Sequence, residues 1–352
     1  MTDHALLAPG QAADQPPAGA ASAPAGAAPA GGDGSAAPAP SPAAAAHAVS
    51  ADAAVNSVSV TGPATAVSRA AREPGGRRDA LRGAALAQLA RKPMFLLALL
   101  YVLFVVVSAF APGLFTSFGP NDVHTDAVVQ APSIHHLFGT DTYGRDLFSR
   151  VLHGSALTIK ATLLALGIAG VAGLTIGVVA GFAGGFVDAL LMRVVDVLLA
   201  IPNLLLALSI VTAIGYGTLP VAFAVGVAIV PGFARTTRAE VLRVRTLPYV
   251  EAARAGGASW SRVLLRHILP NSWGPVAVLA VLDGGVAIIA IASLSFLGFG
   301  AKPPAAEWGT LIANGRNYLL TASWISLLPG LFVALVVLSL NHISKTMQEL
   351  ER

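Results

Sequence analysis

The residues best placed to do chemistry are two carboxylates, Asp196 and Asp283, which fall inside long apolar stretches. A charge inside a bilayer is costly and commonly belongs to a substrate or proton pathway. Asp283 has no other charged residue within four positions, so it is a possible pore-lining residue, although snorkelling or pairing across helices fits equally well. Asp196 lies three residues after Arg193. We expect these two to pair near the membrane surface rather than Asp196 to be a buried functional charge.

The motifs of common catalytic and metal centres are absent from the sequence. There is no Gly-Lys pair, so no phosphate loop of the G-x-x-x-x-G-K-S/T type exists, and neither H-E-x-x-H nor G-x-S-x-G occurs. The eight histidines show no ligand spacing, and the chain has no cysteine. We therefore expect no catalytic residue, no metal and no cofactor, and any ATP hydrolysis must come from another chain.

Composition points to lipid as the solvent of most of the chain. Hydrophobic residues make up 55% and charged residues 11%, whereas soluble domains carry about 25% charge. The net charge of +4 does not indicate a nucleic-acid partner. Residues 1–80 are rich in Ala, Pro and Gly and predict a disordered tail. Residues 81–352 predict a membrane domain.

Six apolar stretches are long enough to cross a bilayer, which needs about 20 residues of helix. The predicted fold is therefore an all-α membrane protein of six transmembrane helices, with a loop at 235–272 between the fourth and the fifth. The predicted spans are about 94–111, 156–182, 186–213, 218–234, 273–297 and 324–341.

The basic residues orient this bundle. With both termini in the cytoplasm, only five of the 22 Lys and Arg residues lie outside, which leaves 17 on or beside cytoplasmic segments and obeys the positive-inside rule. The five are Arg145, Arg150, Lys160, Lys302 and Arg316. The predicted location is the cytoplasmic membrane, with the chain crossing it several times and the tail inside.

Small residues mark one face of the second span. Gly173, Gly177, Gly181 and Gly185 recur every four residues, which places them on one side of a helix. Lipid gives helices no hydrophobic drive to associate, so small residues that allow close backbone approach hold such bundles together. We expect helix packing here, with pore lining as a secondary possibility.

The loop at 235–272 carries seven arginines and predicts two short helices across the membrane surface. Pro248 suits a first helical turn, Gly256 and Gly257 interrupt the helix, and Ser259 can cap a second helix that ends at Pro270. A basic surface helix of this kind could simply hold anionic lipid.

The string EAARAGGASWSRVLLRHILP at residues 251–270 resembles the EAA loop of the permease subunits of bacterial ATP-binding-cassette (ABC) importers. In that family the loop forms a coupling helix that docks in a groove of the ATPase subunit. The resemblance implies an ATPase-coupling role for a set of residues in and beside this string. They are Tyr249, Glu251, Ala252, Ala253, Gly257, Leu269 and Pro270.

A second string, HLFGTDTYGRDLFSR at residues 136–150, predicts a turn and then a short amphipathic helix, in which Asp146 and Arg150 can pair at i, i+4. It resembles the GTDxxGRDxxSR signature of the dipeptide and oligopeptide branch of those permeases, the C-type subunit. A capped turn without further role is the alternative. The motif residues are Gly139, Thr140, Asp141, Gly144, Arg145, Asp146 and Arg150.

Two further strings resemble the same branch: residues 192–208, in the third span, and SFLGFGAKPPAAEWG at 295–309, where Gly and Pro break the fifth span and Trp308 is expected near the outer interface. Related permeases often have an acidic residue before the SFLG segment, where this chain has Ile291. The resemblance covers about residues 92–352 and implies a type I importer fold.

The implied function is the pore subunit of an ABC importer for dipeptides or oligopeptides. The implied partners are a homologous permease in a heterodimer, one or two ABC ATPase subunits, an extracytoplasmic substrate-binding protein and the lipid membrane. Import of a nickel complex or a glutathione-like solute is the alternative substrate assignment. A stand-alone transporter or channel and a membrane enzyme fit less well, because the spans offer few ionisable residues and no paired nucleophile and base.

Overall fold

The computed structural model describes residues 92–351, so the predicted tail at 1–80 lies outside the described residues. Within them the secondary structure is helical, apart from one isolated antiparallel bridge between Thr140 and Asp146. The all-α prediction is confirmed. Ten helices are labelled here in chain order: α1 Pro93–Phe110, α2 Leu147–Ala183, α3 Gly185–Leu199, α4 Asn203–Ile214, α5 Thr218–Arg245, α6 Pro248–Ala255, α7 260–271, α8 Trp273–Phe296, α9 Trp308–Gly315 and α10 Trp324–Glu351.

Three shorter features complete the description. Helix α7 consists of Trp260–Val263, a π-helical turn at Leu264–Ile268 and a last turn at Leu269–Asn271. Single 3₁₀ turns lie in the connecting segments, at Pro112–Leu114, Thr125–Ala127 and Arg316–Tyr318.

Among the described residues, five helices are long and apolar enough to cross a membrane: α1, α2, α5, α8 and α10. Helices α3 and α4 pass the same test only as a pair; they meet at an angle of 91° and give a sixth crossing when the pair is counted as one broken span. The third predicted span is therefore a broken span rather than one straight helix. The break follows from Pro202, which has no N–H to donate and holds an extended backbone with ψ of 131°.

Two helices extend beyond their predicted spans. Helix α2 begins at Leu147, because the Asp146 carboxylate accepts a hydrogen bond from the backbone N–H of Ser149 and so caps it. The amphipathic helix predicted before the second span is thus the first part of α2 itself. Helix α5 continues to Arg245 with Pro231 inside it, so the first part of the predicted 235–272 loop is helix.

The bundle has two distinct ends. At one end, here called the arginine end, the last turns of α2 and α5 meet α6 and α7; Phe182 packs against Trp260. Lys92 at the start of α1 pairs there with Glu349 of α10. At the other end, the loop end, lie the segments 111–146 and 297–323. The six crossings therefore leave the first and last described turns at the arginine end.

Helices α2 and α5 run in the same direction and touch through glycines. A Cβ atom added at Gly173 would lie 2.3 Å from Phe233 Cβ, and one added at Gly181 would lie 2.8 Å from Val241 Cγ1. The structure also adds Gly226 of α5, where a Cβ would lie 2.9 Å from the Ala165 carbonyl oxygen. Gly185 does not belong to this face: it follows the end of α2, has positive φ, and has no atom near its missing Cβ.

Replacing Gly177 by alanine is expected to destabilise the folded protein by roughly 1–3 kcal/mol, the usual cost of overpacking. The new Cβ would lie 2.5 Å from the Ala234 carbonyl oxygen, and backbone cannot move aside as a side chain can. Gly170 of the same helix has open space around it, so Gly170→Ala is the matched control and should leave stability unchanged or raise it. Thermal unfolding in detergent measures both; equal melting temperatures would contradict close α2–α5 packing.

Candidate functional site

The α6–α7 segment, residues 246–272, is anchored to the bundle by a small apolar core. Val250, Val263 and Ile268 are fully buried and pack against Val241 and Val244 of α5. The three side chains of the segment therefore face α5, while its arginines, Arg254, Arg262 and Arg266, are exposed. Helix α6 follows α5 after a two-residue turn, so the segment is joined directly to a helix long and apolar enough to cross a membrane.

The opposite side of α6 is open. Glu251 and Ala252 are exposed, Ala253 is half-buried, and 43% of Tyr249 is accessible. Among residues 92–351, the Glu251 carboxylate has neither a hydrogen-bond nor an ion-pair partner. A small-faced helix with a free carboxylate and a buried back can seat in a groove of another protein without rearranging its own core.

The connection between α6 and α7 is a left-handed turn. Gly257 has φ of +82° and open space around it, a conformation that glycine adopts most readily. The Ala258 N–H donates to the Ala253 carbonyl at 3.1 Å, which satisfies the end of α6. Ser259 occupies the N-cap position before α7, but its side chain does not form the capping hydrogen bond that the sequence predicted.

The end of α7 differs slightly from the prediction, because the helix continues to Asn271 rather than ending at Pro270. Leu269 is half-buried and Pro270 is exposed. The preceding π-helical turn, Leu264–Ile268, is the local adjustment expected beside a residue that cannot donate a backbone hydrogen bond.

An aromatic bridge ties α6 and α7 to α2. The Arg254 guanidinium lies 4.0 Å from the centre of the Trp260 ring, a cation–π contact. The Phe182 ring of α2 also contacts Trp260: the two rings meet edge to face, with 5.0 Å between their centres. The α6–α7 segment is thus held by both α2 and α5.

Two ion pairs join α3 to α5 near the arginine end. Arg238 donates to Asp188, with 2.7 Å between Nη2 and Oδ2, and Arg235 pairs with Asp196. The expected Arg193–Asp196 pair is therefore not formed. Asp196 points toward α5 rather than along its own helix, and 55% of its side chain is exposed, so it is not a buried functional charge either.

Asp283 is half-buried on α8, and no described side chain pairs with it. It lies on the helix face that also carries Val276 and Ala287, which pack into the core shared with α2 and α5. Its assignment as a pore-lining residue remains a prediction. Ile291 is fully buried in that same core.

The residues of the 136–150 string meet in one buried cluster at the loop end. Asp141 is its centre: its Oδ2 accepts from Arg145 Nε and Nη2, both at 2.7 Å, and lies 3.7 Å from Arg150 Nε. The Arg150 side chain is 2% exposed and donates to the Pro120 carbonyl at 2.6 Å. Arg150 therefore joins Asp141 and not Asp146, the partner expected from spacing.

Asp146 instead faces His136, with 2.9 Å between Oδ1 and Nδ1. The Thr140 hydroxyl oxygen accepts from the Gln130 N–H at 2.8 Å. Gly139 and Gly144 both have positive φ, and a Cβ at either would lie within 2.5 Å of a backbone oxygen. The string fastens the loop at 111–146 to the start of α2, a structural role.

Sequence reasoning missed one buried acid, Glu307, which is 0% exposed. Its Oε1 accepts from the Ser295 hydroxyl at 2.9 Å and its Oε2 from the Ala301 N–H at 2.7 Å. The signal available was an acidic residue in a loop otherwise poor in charge. The neighbouring Trp308 is fully buried, and its indole N–H donates to the Val151 carbonyl at 3.0 Å. It is a core residue and not an interfacial one.

Among residues 92–351, no group of three or more His, Asp or Glu side chains is arranged to hold a metal ion. The arrangement offers an anchored surface helix, a broken span and a fastened outer loop.

Comparison with known proteins gives consistent matches. A family described as "Binding-protein-dependent transport system inner membrane component" matches residues 173–350. The probable D,D-dipeptide transport system permease protein DdpC of Escherichia coli is 41% identical over 69% of this chain and 82% of that protein. The glutathione transport system permease protein GsiD of Pectobacterium atrosepticum is 38% identical over 69% and 81%. A structure of the MetNI methionine ABC transporter, inward facing, gives a TM-score of 0.48 at 18% identity, covering 58% of this chain and 97% of that one.

Proposed function

Because the chain belongs to the family of binding-protein-dependent transport system inner membrane components, we propose that it is the pore-forming permease subunit of an ABC importer for di- or oligopeptides. Membership makes it a transport permease subunit of an inner membrane, and the family implies ATPase and binding-protein partners. The observation that carries the coupling part of the proposal is the α6–α7 segment, which is open on one side and anchored on the other.

The proposed mechanism uses that segment as the input. ATP binding draws two partner ATPase subunits together, their movement displaces α6, and α5 and α2 follow because Val250, Val263 and Ile268 are packed against them. The bundle then shifts between outward and inward access, which is a ligand-driven change between two states. The ATPase subunits hydrolyse ATP, and this chain supplies no catalytic residue.

The assembly follows from the same proposal. One copy of a six-crossing bundle does not enclose a pathway, so a homologous permease completes it as a heterodimer. The arginine end faces the cytoplasm, which places both termini inside and brings α6 to the ATPase subunits. The loop end faces the extracytoplasmic binding protein that delivers the substrate.

Peptides are the proposed substrate because of a relative whose printed name is a D,D-dipeptide permease, 41% identical. A glutathione-like solute is the second candidate, favoured by the 38% identical relative named for glutathione transport. Both are small solutes with peptide bonds and free carboxylates. A stand-alone transporter finds little support, since it would need several membrane-embedded ionisable residues and α8 offers only Asp283.

Reconstitution in liposomes tests this function. The full complex, with both permeases, the ATPase subunits and the binding protein, should import a labelled dipeptide only when ATP is present on the cytoplasmic side. The chain alone is the control and should import none. Uptake by the chain alone, or ATP-independent uptake by the complex, would show that the motor is not a partner chain.

A further inference from the structure

A polar cleft of about 400 Å³ lies at the loop end, between the segment after α8 and the helix α9. This volume is within the range of small-molecule sites, about 300–1,000 Å³. Two cations, Lys302 and Arg316, line it from opposite segments, and Thr310, Asn314 and Asn317 add hydroxyl and amide groups. Among residues 92–351, neither cation has an ion-pair partner.

The walls of this cleft are held in place by the buried acid beneath it. Glu307 binds the Ala301 N–H and the Ser295 hydroxyl, which fixes the chain between α8 and Lys302. A Cβ at Gly300 would lie 2.4 Å from Ser295 Oγ, so only glycine permits this close fold. The Glu307 carboxylate beneath the cleft is fully buried and occupied by hydrogen bonds, while both cations are exposed.

We propose that this cleft binds the free carboxylate of the peptide as it enters the permease from the loop end. A guanidinium and an ammonium that lack a protein carboxylate can both pair with one on a ligand. The amide of Asn317 can donate to and accept from a peptide bond. That the bound anion is a peptide carboxylate rests on the proposed function. That the cleft binds an anion rests on its two unpaired cations alone.

The absence of cysteine from the chain allows a direct test in the assembled complex. Asn314→Cys puts one thiol in the cleft, and its reaction rate is measured with an anionic and a cationic methanethiosulfonate reagent. Two nearby cations should favour the anionic reagent about tenfold by raising its local concentration. The preference should fall to near one when Lys302→Gln and Arg316→Gln are added. It should persist when Lys345→Gln and Arg193→Gln are added instead, since these exposed residues lie away from the cleft, on α10 and α3.

The ligand is tested on the same thiol by protection. The dipeptide Ala-Ala should slow labelling of Asn314→Cys, and its carboxyl-terminal amide should not. Equal reactivity toward both reagents, an unchanged preference in the Lys302/Arg316 variant, or equal protection by the amide would overturn the proposal. If the complex imports peptide but shows no charge preference, the cleft proposal fails and the proposed function stands. If the preference is found without ATP-driven uptake, the anion site stands and the proposed function fails.

Discussion

Glu251→Lys is expected to reduce ATP-driven uptake by about 100-fold or more, while the amount of protein in the membrane stays normal. Glu251 is exposed on α6, and no described residue pairs with it, so its reversal disturbs no internal contact. At an interface with the ATPase, however, an inverted charge costs several kcal/mol, and about 2.7 kcal/mol already corresponds to 100-fold. Uptake into vesicles at matched protein level is the measurement.

Controls for this prediction are available in the same chain. Asp126→Lys makes the same charge change at an exposed position of the loop end and should retain uptake. At the neighbouring turn, Gly257→Asp should also abolish uptake. Gly257→Asn has similar size and tolerates the left-handed backbone, so it separates the effect of charge from that of strain. Normal uptake by Glu251→Lys and Gly257→Asp would refute the coupling role of α6.

Asp141→Ala is expected to cost about 3–5 kcal/mol of stability, the usual result of removing one partner from a buried ion pair. The reason lies in what remains behind. Arg145 and Arg150 are almost completely buried, and Asp141 is the carboxylate they share. Without it, Arg150 keeps the Pro120 and Pro304 carbonyls and the Asn121 amide oxygen as acceptors. The Arg145 side chain, which donates to Asp141, is left buried without that acceptor.

The measurement is thermal unfolding of the purified protein in mild detergent, together with the yield of folded protein. Asp126→Ala is the control, since that side chain is exposed in the same loop, and its effect should stay within about 0.5 kcal/mol. If Asp141→Ala melts with the wild-type protein, the 136–150 string does not fasten the outer loop to α2.

The fold could be predicted from the sequence to the extent that it depends on local patterns. Apolar length predicted the stretches that form the five long apolar helices and the bent pair α3–α4, and Gly173, Gly177 and Gly181 lie on the face of α2 that meets α5. Pro248 and Gly257 placed the start of α6 and the turn after it. Each of these signals involves residues close together in the sequence. Over such short separations, bilayer thickness, the helical period and backbone freedom decide the structure.

The remainder depended on partners far away in the chain. Spacing suggested Arg193 for Asp196 and Arg150 for Asp146, but the structure pairs Asp196 with Arg235 and Asp146 with His136. A side chain at the edge of a helix can reach a neighbouring helix as easily as its own next turn. The same reason explains the length of α5, whose Arg235 and Arg238 meet α3 and make it favourable to continue the helix past the apolar segment.

Burial of polar residues was equally hidden from local reasoning. Glu307 ends a loop and Trp308 begins α9, and their side chains are enclosed only because α8, α9 and α2 meet there. Gly185 matched the spacing of the glycine face but lies after α2 has ended. Where a helix ends depends on its capping residues as well as on the spacing of residues along it, so the glycine spacing alone does not predict the end of α2.

The most direct test of the coupling role is the accessibility of α6 itself. Ala252→Cys introduces a single thiol on the exposed side of α6 in a chain that has no cysteine. A membrane-impermeant maleimide should label it in inside-out vesicles and not in intact cells, and the ATPase subunits should slow the labelling about tenfold or more, as a buried interface does. Labelling from the outer face, or at the same rate with and without the ATPase subunits, would contradict transmission of force through this helix.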